Sequence, residues 1–385
     1  MIRALLDNNF ELDVIVSNLS ERGISSSDIV KRLEKRYSGA SFTVRKHPSL
    51  LDKSKSADRK KFNFYKITLL WDRIVFNTYR VHNFKLMPYN IRNTIKNKMK
   101  NINYDIVYCN YLYNVPNFLR KSDTQIISDI HDLQYRRIEN DIIPFVNPIE
   151  SFLYKTFFRS SELKRLKLID KIISISLIET KMIKKMLPTK EIITIPATTD
   201  NPNSIDCIKA KYDITFIGSN SDANRDSLLW FLDNCLSELI NSEKRIKFLI
   251  QGKIVRNKSI KTNEIFLKFI GKNIIANDYV EHLSDIYDNT KIIICPIIKG
   301  SGMKIKVIEA LSYSKAIVGT NIAFEGININ NNNASIANTD KEFISKVLKL
   351  LINKQKRKKI QLEAFQLFKN EHSFDTCCEL IKKTI

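Results

Sequence analysis

Between Ile294 and Ile327 the chain reads ICPIIKGSGMKIKVIEALSYSKAIVGTNIAFEGI, and residue types there have spacings that could do chemistry. A strand ending at Pro296 runs into the loop Gly300-Ser301-Gly302, and a helix is read from Gly302 to Tyr313. Glycines let a backbone approach a ligand closely and take positive φ. The first N–H groups of a helix are unpaired and lie at the positive end of its dipole. Together they make a pocket for an anion, best a phosphate or diphosphate. Lys304 and Lys306 add ammonium groups at the same helix start. Glu309 lies further along the helix, and its carboxylate suits hydroxyl donors such as a ribose diol. Phosphate at one end and diol at the other describe a nucleotide. Taken alone, the same residues also fit a plain turn with an N-cap and a solvated glutamate.

A frame of parallel strands must hold these loops. Strands are read at Glu11 to Ser17, Tyr104 to Cys109, Gln125 to Ile130, Lys171 to Ile175 and Glu191 to Ile195. Helices are read at Met1 to Phe10, Ser27 to Lys35, Asn114 to Lys121, Pro148 to Leu168 and Leu177 to Met186. After the polar stretch NPNSID (201–206) the pattern restarts, with strands at Asp213 to Ile217, Lys247 to Gln251, Lys291 to Pro296 and Ala316 to Thr320. Asn273 to Ala276 reads as a broken loop, and Val280 to Tyr287 as a helix. Alternation of this kind implies an α/β fold with parallel sheets covered on both faces. The expected organisation is a Rossmann-like domain over 1–200, a second over 208–369, and a terminal helix over 370–385 packing back on the first. Ligands of such sheets bind beyond the carboxyl ends of the strands, so the natural site is the cleft between two doubly wound domains.

Lys and Arg exceed Asp and Glu by 63 − 41 = 22, a field that attracts anions, although Lys-, Asn- and Ile-rich compositional drift would give the same balance. No apolar run approaches the ~18–20 residues of a membrane span. No leader with a basic head and an apolar block opens the chain, so secretion is not expected. The cysteines at 109, 207, 235, 295, 377 and 378 form no C-x-x-C and no zinc spacing, which reads as reduced thiols in the cytosol. No Walker loop, GxGxxG or hydrolase elbow occurs.

Pro296, Gly300, Gly302, Lys304, Lys306, Glu309-Ala310-Leu311, Lys315, Val318, Thr320 and Glu325-Gly326 fall in the order P-x-x-x-G-x-G-x-K-x-K-x-x-E-A-L, K-x-x-V-x-T, E-G. This stretch resembles the retaining GT-B-type glycosyltransferases of family 4, the glycosyl transferases group 1. DITFIGSNSDANRDSLLWF (213–231) is similar to the family's first C-domain strand, its Gly turn and the Asn opening the next helix. DIHDLQYR (129–136) resembles its D-x-H-D loop, and Asn370 to Ile381 its crossing terminal helix.

The resemblance implies transfer of a sugar from a nucleotide-sugar donor to a glycan or lipid-linked glycan acceptor, in bacterial surface-polysaccharide assembly. It implies no metal or other cofactor. Its catalytic residues would be His131, Asp132 and Lys304. Its donor-binding residues would be Gly218, Ser219, Asn220, Gly300, Ser301, Gly302, Lys306 and Glu309. Ser301 replaces the first Glu of the broader family's E-x7-E, and Ser314 replaces a helix-ending Gly, where an αL serine would cost about 1 kcal/mol. The family's N-domain opens with a strand, and here the chain is read as beginning at the following helix, without that first strand.

Two further readings belong to the residues themselves. IESFLYKTFFRSSELKRLKL (149–168) places Phe152, Leu153, Phe157 and Phe158 near Lys155, Arg159, Lys164, Arg165 and Lys167, a pattern for an anionic membrane surface or for a core stripe with solvated lysines. It sets the expected location as cytoplasmic, peripheral on the inner membrane face. The alternatives are a truncated non-catalytic homologue and a basic nucleic-acid-binding protein; the dispersed charge and lack of a recognisable module argue against nucleic acid as a partner.

Overall fold

A computed structural model describes residues 1–18, 25–46, 89–115, 124–131, 133, 147–199, 210–300 and 302–385. The chain divides into two units, Met1–Thr194 with Leu380–Ile385, and Ile195–Glu379.

In the first unit, strands β1 (Leu12–Asn18) and β2 (Ala40–Lys46) pair in parallel. The helix Ile2–Leu6 precedes β1, as expected, whereas β2 falls in a stretch the sequence reading left without a strand. Asp13 on β1 accepts hydrogen bonds from Lys98 (2.6 Å), Tyr104 (2.6 Å) and Ser41 (3.1 Å). Burial works against that charge, but these donors hold the carboxyl below its ordinary pKa. A second parallel sheet has the order β3-β4-β5-β6, formed by Ile106–Asn110, Gln125–Ile130, Lys171–Ser174 and Glu191–Thr194. Ile126, Ile130, Leu166, Ile169 and Ile172 are buried around it. Of the expected helix over 114–121, Leu112–Asn114 forms a single 3-10 turn; 116–123 lie outside the described residues.

The second unit is a six-stranded parallel sheet: β7 (Tyr212–Ile217), β8 (Phe248–Gln251), β9 (Ile274–Asn277), β10 (Thr290–Cys295), β11 (Ala316–Gly319) and β12 (Ser335–Ile336). Their spatial order is β12-β11-β10-β7-β8-β9. The chain thus fills one half of the sheet outward from β7, then returns beside β7 with β10 and fills the other half. Ile292, Ile293 and Ile294 are essentially fully buried, as a strand covered on both faces requires. The polar pair Thr215 and Thr290 inside this sheet is satisfied: their hydroxyls meet at 2.8 Å, and Thr290 also donates to the Ile286 carbonyl at 2.7 Å.

Two expectations are corrected here. The segment read as a broken loop, Asn273 to Ala276, contributes the edge strand β9, which β8 recruits by pairing. The helix read over Val280 to Tyr287 is one turn, Ser284–Tyr287.

At the far end of this unit, His372 Nδ1 donates to the Ala197 carbonyl (2.9 Å), Thr198 donates to the His372 carbonyl, and Cys377 Sγ donates to Pro196 (3.3 Å). His372 Nε2 is buried without a hydrogen-bond partner among the described residues. Burial pushes the imidazole below its usual 6.5, against opposing effects of the Ala197 carbonyl and Glu371. The folded pKa therefore lies below the unfolded one, and the unfolded chain takes the proton more readily. Stability from the neutral ring is complete above about pH 6.5 and is lost as the pH falls below it. Thermal melts at pH 7.5 and 5.5 should show a larger loss for the wild type than for His372→Asn, whose amide still donates; equal losses would reject this account.

Candidate functional site

In a sheet of this order the strand sequence reverses between β7 and β10, and the loops leaving their carboxyl ends diverge there into a crevice. The loop after β7 starts at Gly218. Its N–H donates to the Gln251 carbonyl (2.9 Å), and its own carbonyl accepts from Ile254 N–H (3.3 Å). A Cβ at Gly218 would lie 2.8 Å from Phe216 Cε1 and 3.3 Å from Asn224 Cγ, so only glycine fits. Ser219 and Asn220 are exposed beyond it, and Ser221 caps the helix Asp222–Phe231 by accepting from Asn224 N–H (3.3 Å). Asn220 Oδ1 accepts from Asn257 Nδ2 at 2.7 Å.

The loop after β10 carries Gly300 at φ 109° and Gly302 at φ 81°, both in the region that favours glycine. Ser301 between them lies outside the described residues. Because Gly302 is left-handed and Lys304 is extended (φ −95°, ψ 98°), the helix starts at Ile305, later than the expected Gly302, and runs Ile305–Ser312. It ends on Ser314 at φ 53°, the αL serine expected from sequence. The Ser314 hydroxyl donates to the Gln361 carbonyl at 2.8 Å, a bond worth about 1 kcal/mol that offsets the backbone cost. Thr320, from the loop after β11, donates to the Ile297 carbonyl and fixes the base of the glycine loop.

Around these loops the charges are ordered. Lys299 pairs with Asp226, which also pairs with Arg225. Burial raises the Asp226 pKa, but the two cations hold it below the usual carboxylate range. Lys304 Nζ donates back to the Gly302 carbonyl, at the mouth of the helix. Lys306 Nζ donates to Asn224 Oδ1 at 2.7 Å and lies 4.8 Å from the Phe216 ring centroid. Glu309 Oε2 accepts from the Tyr287 hydroxyl at 3.2 Å, and Tyr287 stacks on Tyr313 with centroids 4.5 Å apart. Burial pushes the Glu309 carboxyl up; the Tyr287 bond and the Lys306 charge oppose that shift. Gly218, Ser219, Asn220, Gly300, Gly302, Lys304, Lys306 and Glu309 therefore all belong to one unit and one end of its sheet. Lys304 and the first helix N–H donors stand beside the glycine loop and the Glu309 carboxylate lies further along the same helix, a layout able to hold a diphosphate and a diol.

In the first unit, Asp129, the penultimate residue of β4, accepts from Tyr111 N–H at 3.0 Å, and meets His131 Nε2 at 3.2 Å. The Tyr111 ring lies over His131 with centroids 4.1 Å apart, and Tyr111 itself takes φ 67°. The imidazole is thus oriented by a carboxylate and a ring, the support a general acid or base needs. Asp132 lies outside the described residues. Sequence reasoning listed neither Asp129 nor Tyr111 among the site residues, although the D-x-H spacing pointed to the first. Among the described residues, no three His, Cys, Asp or Glu side chains converge as metal ligands.

Residues 211–353 match the family described as Glycosyl transferases group 1. The Klebsiella pneumoniae protein described as "Uncharacterized 44.6 kDa protein in cps region" is 24% identical over 301 residues, 75% of this chain and 76% of that protein. A point mutant of S. aureus TarM, in complex with Fondaparinux, alpha-GlcNAc-glycerol and UDP, superposes with a TM-score of 0.65 at 12% identity, over 99% of this chain and 94% of that chain. Against another TarM crystal structure the TM-score is 0.60 at 15% identity, and this chain spans 58% of that longer chain while 77% of its own length is covered. Anabaena HepE in complex with UDP gives 0.59 at 9% identity, over 97% and 99% of the two chains. The chain has a GT-B-type fold, and its 211–353 segment matches the glycosyl transferases group 1 model, in line with the pattern from Pro296 to Gly326.

Proposed function

We propose that this protein is a retaining hexosyltransferase that moves a sugar from a nucleotide-sugar to an acceptor hydroxyl during assembly of a bacterial surface polysaccharide. The observation that carries the reading is the pair of glycine-bearing loops leaving β7 and β10, with Lys304 at one end of the following helix and Glu309 on it. A cps-region relative supports the pathway class, and the UDP in the TarM and HepE structures supports a nucleoside diphosphate as leaving group.

In this reading, the turn at Gly218, Ser219 and Asn220 and the loop bearing Gly300 and Gly302 bind the donor phosphates. Glu309 accepts from the ribose hydroxyls. Lys304 and the first N–H groups of Ile305–Ser312 stabilise charge growing on the diphosphate as the anomeric bond breaks, so the step runs without a metal. For His131, which Asp129 orients, and for Asp132 the family resemblance suggests a role toward the acceptor hydroxyl. A panel of UDP-, GDP- and ADP-sugars, assayed in EDTA for transfer and for nucleotide release, tests this. Turnover of one donor in EDTA is expected; a chain that binds no nucleotide, or turns over only with added metal, would reject it.

Contact with an anionic membrane on the cytoplasmic side belongs to the same proposal and suits a lipid-linked acceptor. On the helix Pro148–Leu168, Ile149 (74% exposed) and Phe152 (68%) precede exposed Lys155, Arg159, Lys164 and Lys167, while Leu166 is fully buried. The side chains of Leu153, Phe157 and Phe158 are outside the described set. No described helix is long and apolar enough to cross a membrane; the contact proposed is an interfacial one. Co-sedimentation with vesicles should rise several-fold when anionic lipid is included and fall on Phe152→Glu. Binding that ignores lipid charge would remove the membrane from the reading.

A further inference from the structure

We infer that Asn224 is a positioning residue for the donor loop, and that Lys306 acts through it rather than by touching the ligand. This rests on the nucleotide reading given above. The sequence pattern puts both Lys304 and Lys306 at the helix start, and the structure separates them. Lys306 Nζ is committed to Asn224 Oδ1 at 2.7 Å and to the face of Phe216. Burial pushes its ammonium pKa down, with Cys295 and Glu309 opposing, so the cation sits in the protein rather than at its surface.

Asn224 completes the link. Its Nδ2 donates to both the carbonyl and the hydroxyl of Ser219, each at 3.1 Å. An ammonium can only donate and a backbone carbonyl can only accept, so the amide has one satisfied orientation: oxygen to Lys306, nitrogen to Ser219. A side chain from the helix after β10 therefore dictates where the exposed turn after β7 lies. The facing loop is tied to the first turns of the helix Asp222–Phe231, which carries Asn224, through Lys299 and Asp226, and Gly300 passes close enough that a Cβ there would lie 3.8 Å from Ala223 Cβ. Both phosphate-facing loops are thus registered on residues 222–226. Within this set Lys304 is the lysine placed at the helix mouth, and Lys306 is a strut.

Equilibrium binding of UDP, GDP and ADP to the full chain, measured well below the melting temperature of every variant, tests this. For the nucleotide that binds, Asn224→Ala and Lys306→Met should each weaken affinity roughly tenfold, about 1.4 kcal/mol. The double variant should lose about the same tenfold, because both changes cut one chain of contacts. Asn224→Asp keeps a partner for Lys306 but sets an acceptor against the Ser219 carbonyl; it should melt no lower than Asn224→Ala and bind at least as weakly. A roughly hundredfold loss in the double variant would mean that Lys306 contacts the nucleotide independently, and would overturn the inference alone. So would unchanged affinity in Asn224→Asp. A wild type that binds none of the three nucleotides would overturn the site reading itself.

Discussion

Replacing Glu309 by Ala is expected to weaken nucleotide binding by roughly a hundredfold. A carboxylate that accepts from both hydroxyls of a ribose diol makes two charge-assisted bonds, each worth about 1.5 kcal/mol at the low end. Their joint loss of about 3 kcal/mol is two decades in affinity. The fold should survive. The carboxylate is only partly buried, and its hydrogen bond is the one from Tyr287, whose ring remains stacked on Tyr313. Glu309→Gln, which keeps one acceptor oxygen, should fall between. The same carboxyl gives the affinity a pH dependence. Burial raises its pKa above the ordinary 4.5, so protonation, which removes acceptor capacity, begins at a higher pH than for a solvated glutamate. Calorimetric titrations should show affinity declining more steeply from neutral toward acid pH in the wild type than in Glu309→Ala, where titration of the ligand's terminal phosphate remains. Unchanged affinity in Glu309→Ala would take this residue out of the site.

Gly252→Ala should be the most damaging single methyl in the second unit. Gly252 sits at φ 107°, and a Cβ there would lie 2.4 Å from the Gly218 carbonyl oxygen. Neither partner can yield easily: the obstacle is backbone, held by Gln251 on one side and Ile254 on the other. Backbone strain of about 1–2 kcal/mol and overpacking of similar size sum to a cost on the order of 3 kcal/mol. For a unit of this size that corresponds to a fall in melting temperature of about 10 °C. Gly271→Ala is the control. It has a comparable φ of 77° with nothing within 4 Å of its Cβ, so it carries strain without collision and should cost about half as much. Equal losses in the two variants would reject the close approach as the cause. Because Gly252 supports the Gly218 turn directly, its variant should also lose nucleotide affinity at temperatures where it is still folded.

The two strands that carry the site were legible because burial on both faces demands near-continuous apolar runs, and ITFI and IIIC satisfy that at 214–217 and 292–295. The glycine turn, the glycine loop and the helix after it were legible for a different reason: their backbones need conformations or clearances that other residues tolerate poorly. Where that local logic was weak, reading failed. β9 is only four residues long, β2 lies in a polar, basic stretch, and each is paired along its length with a neighbouring strand. The helix start slipped from Gly302 to Ile305 because a left-handed glycine, permitted by sequence, was in fact adopted.

The linear chain by itself determined the α/β class, the glycines at 218, 300 and 302, and the presence of Lys304, Lys306 and Glu309 at helical spacing, since each follows from local sterics or periodicity. Tertiary structure alone decided that β10 lies beside β7, that Lys306 turns to Asn224, that Tyr287 meets Glu309, and that Gly252 underlies Gly218. Those pairings join residues far apart in the chain. No local preference encodes them; they are set when burial of the strands fixes the order of the sheet.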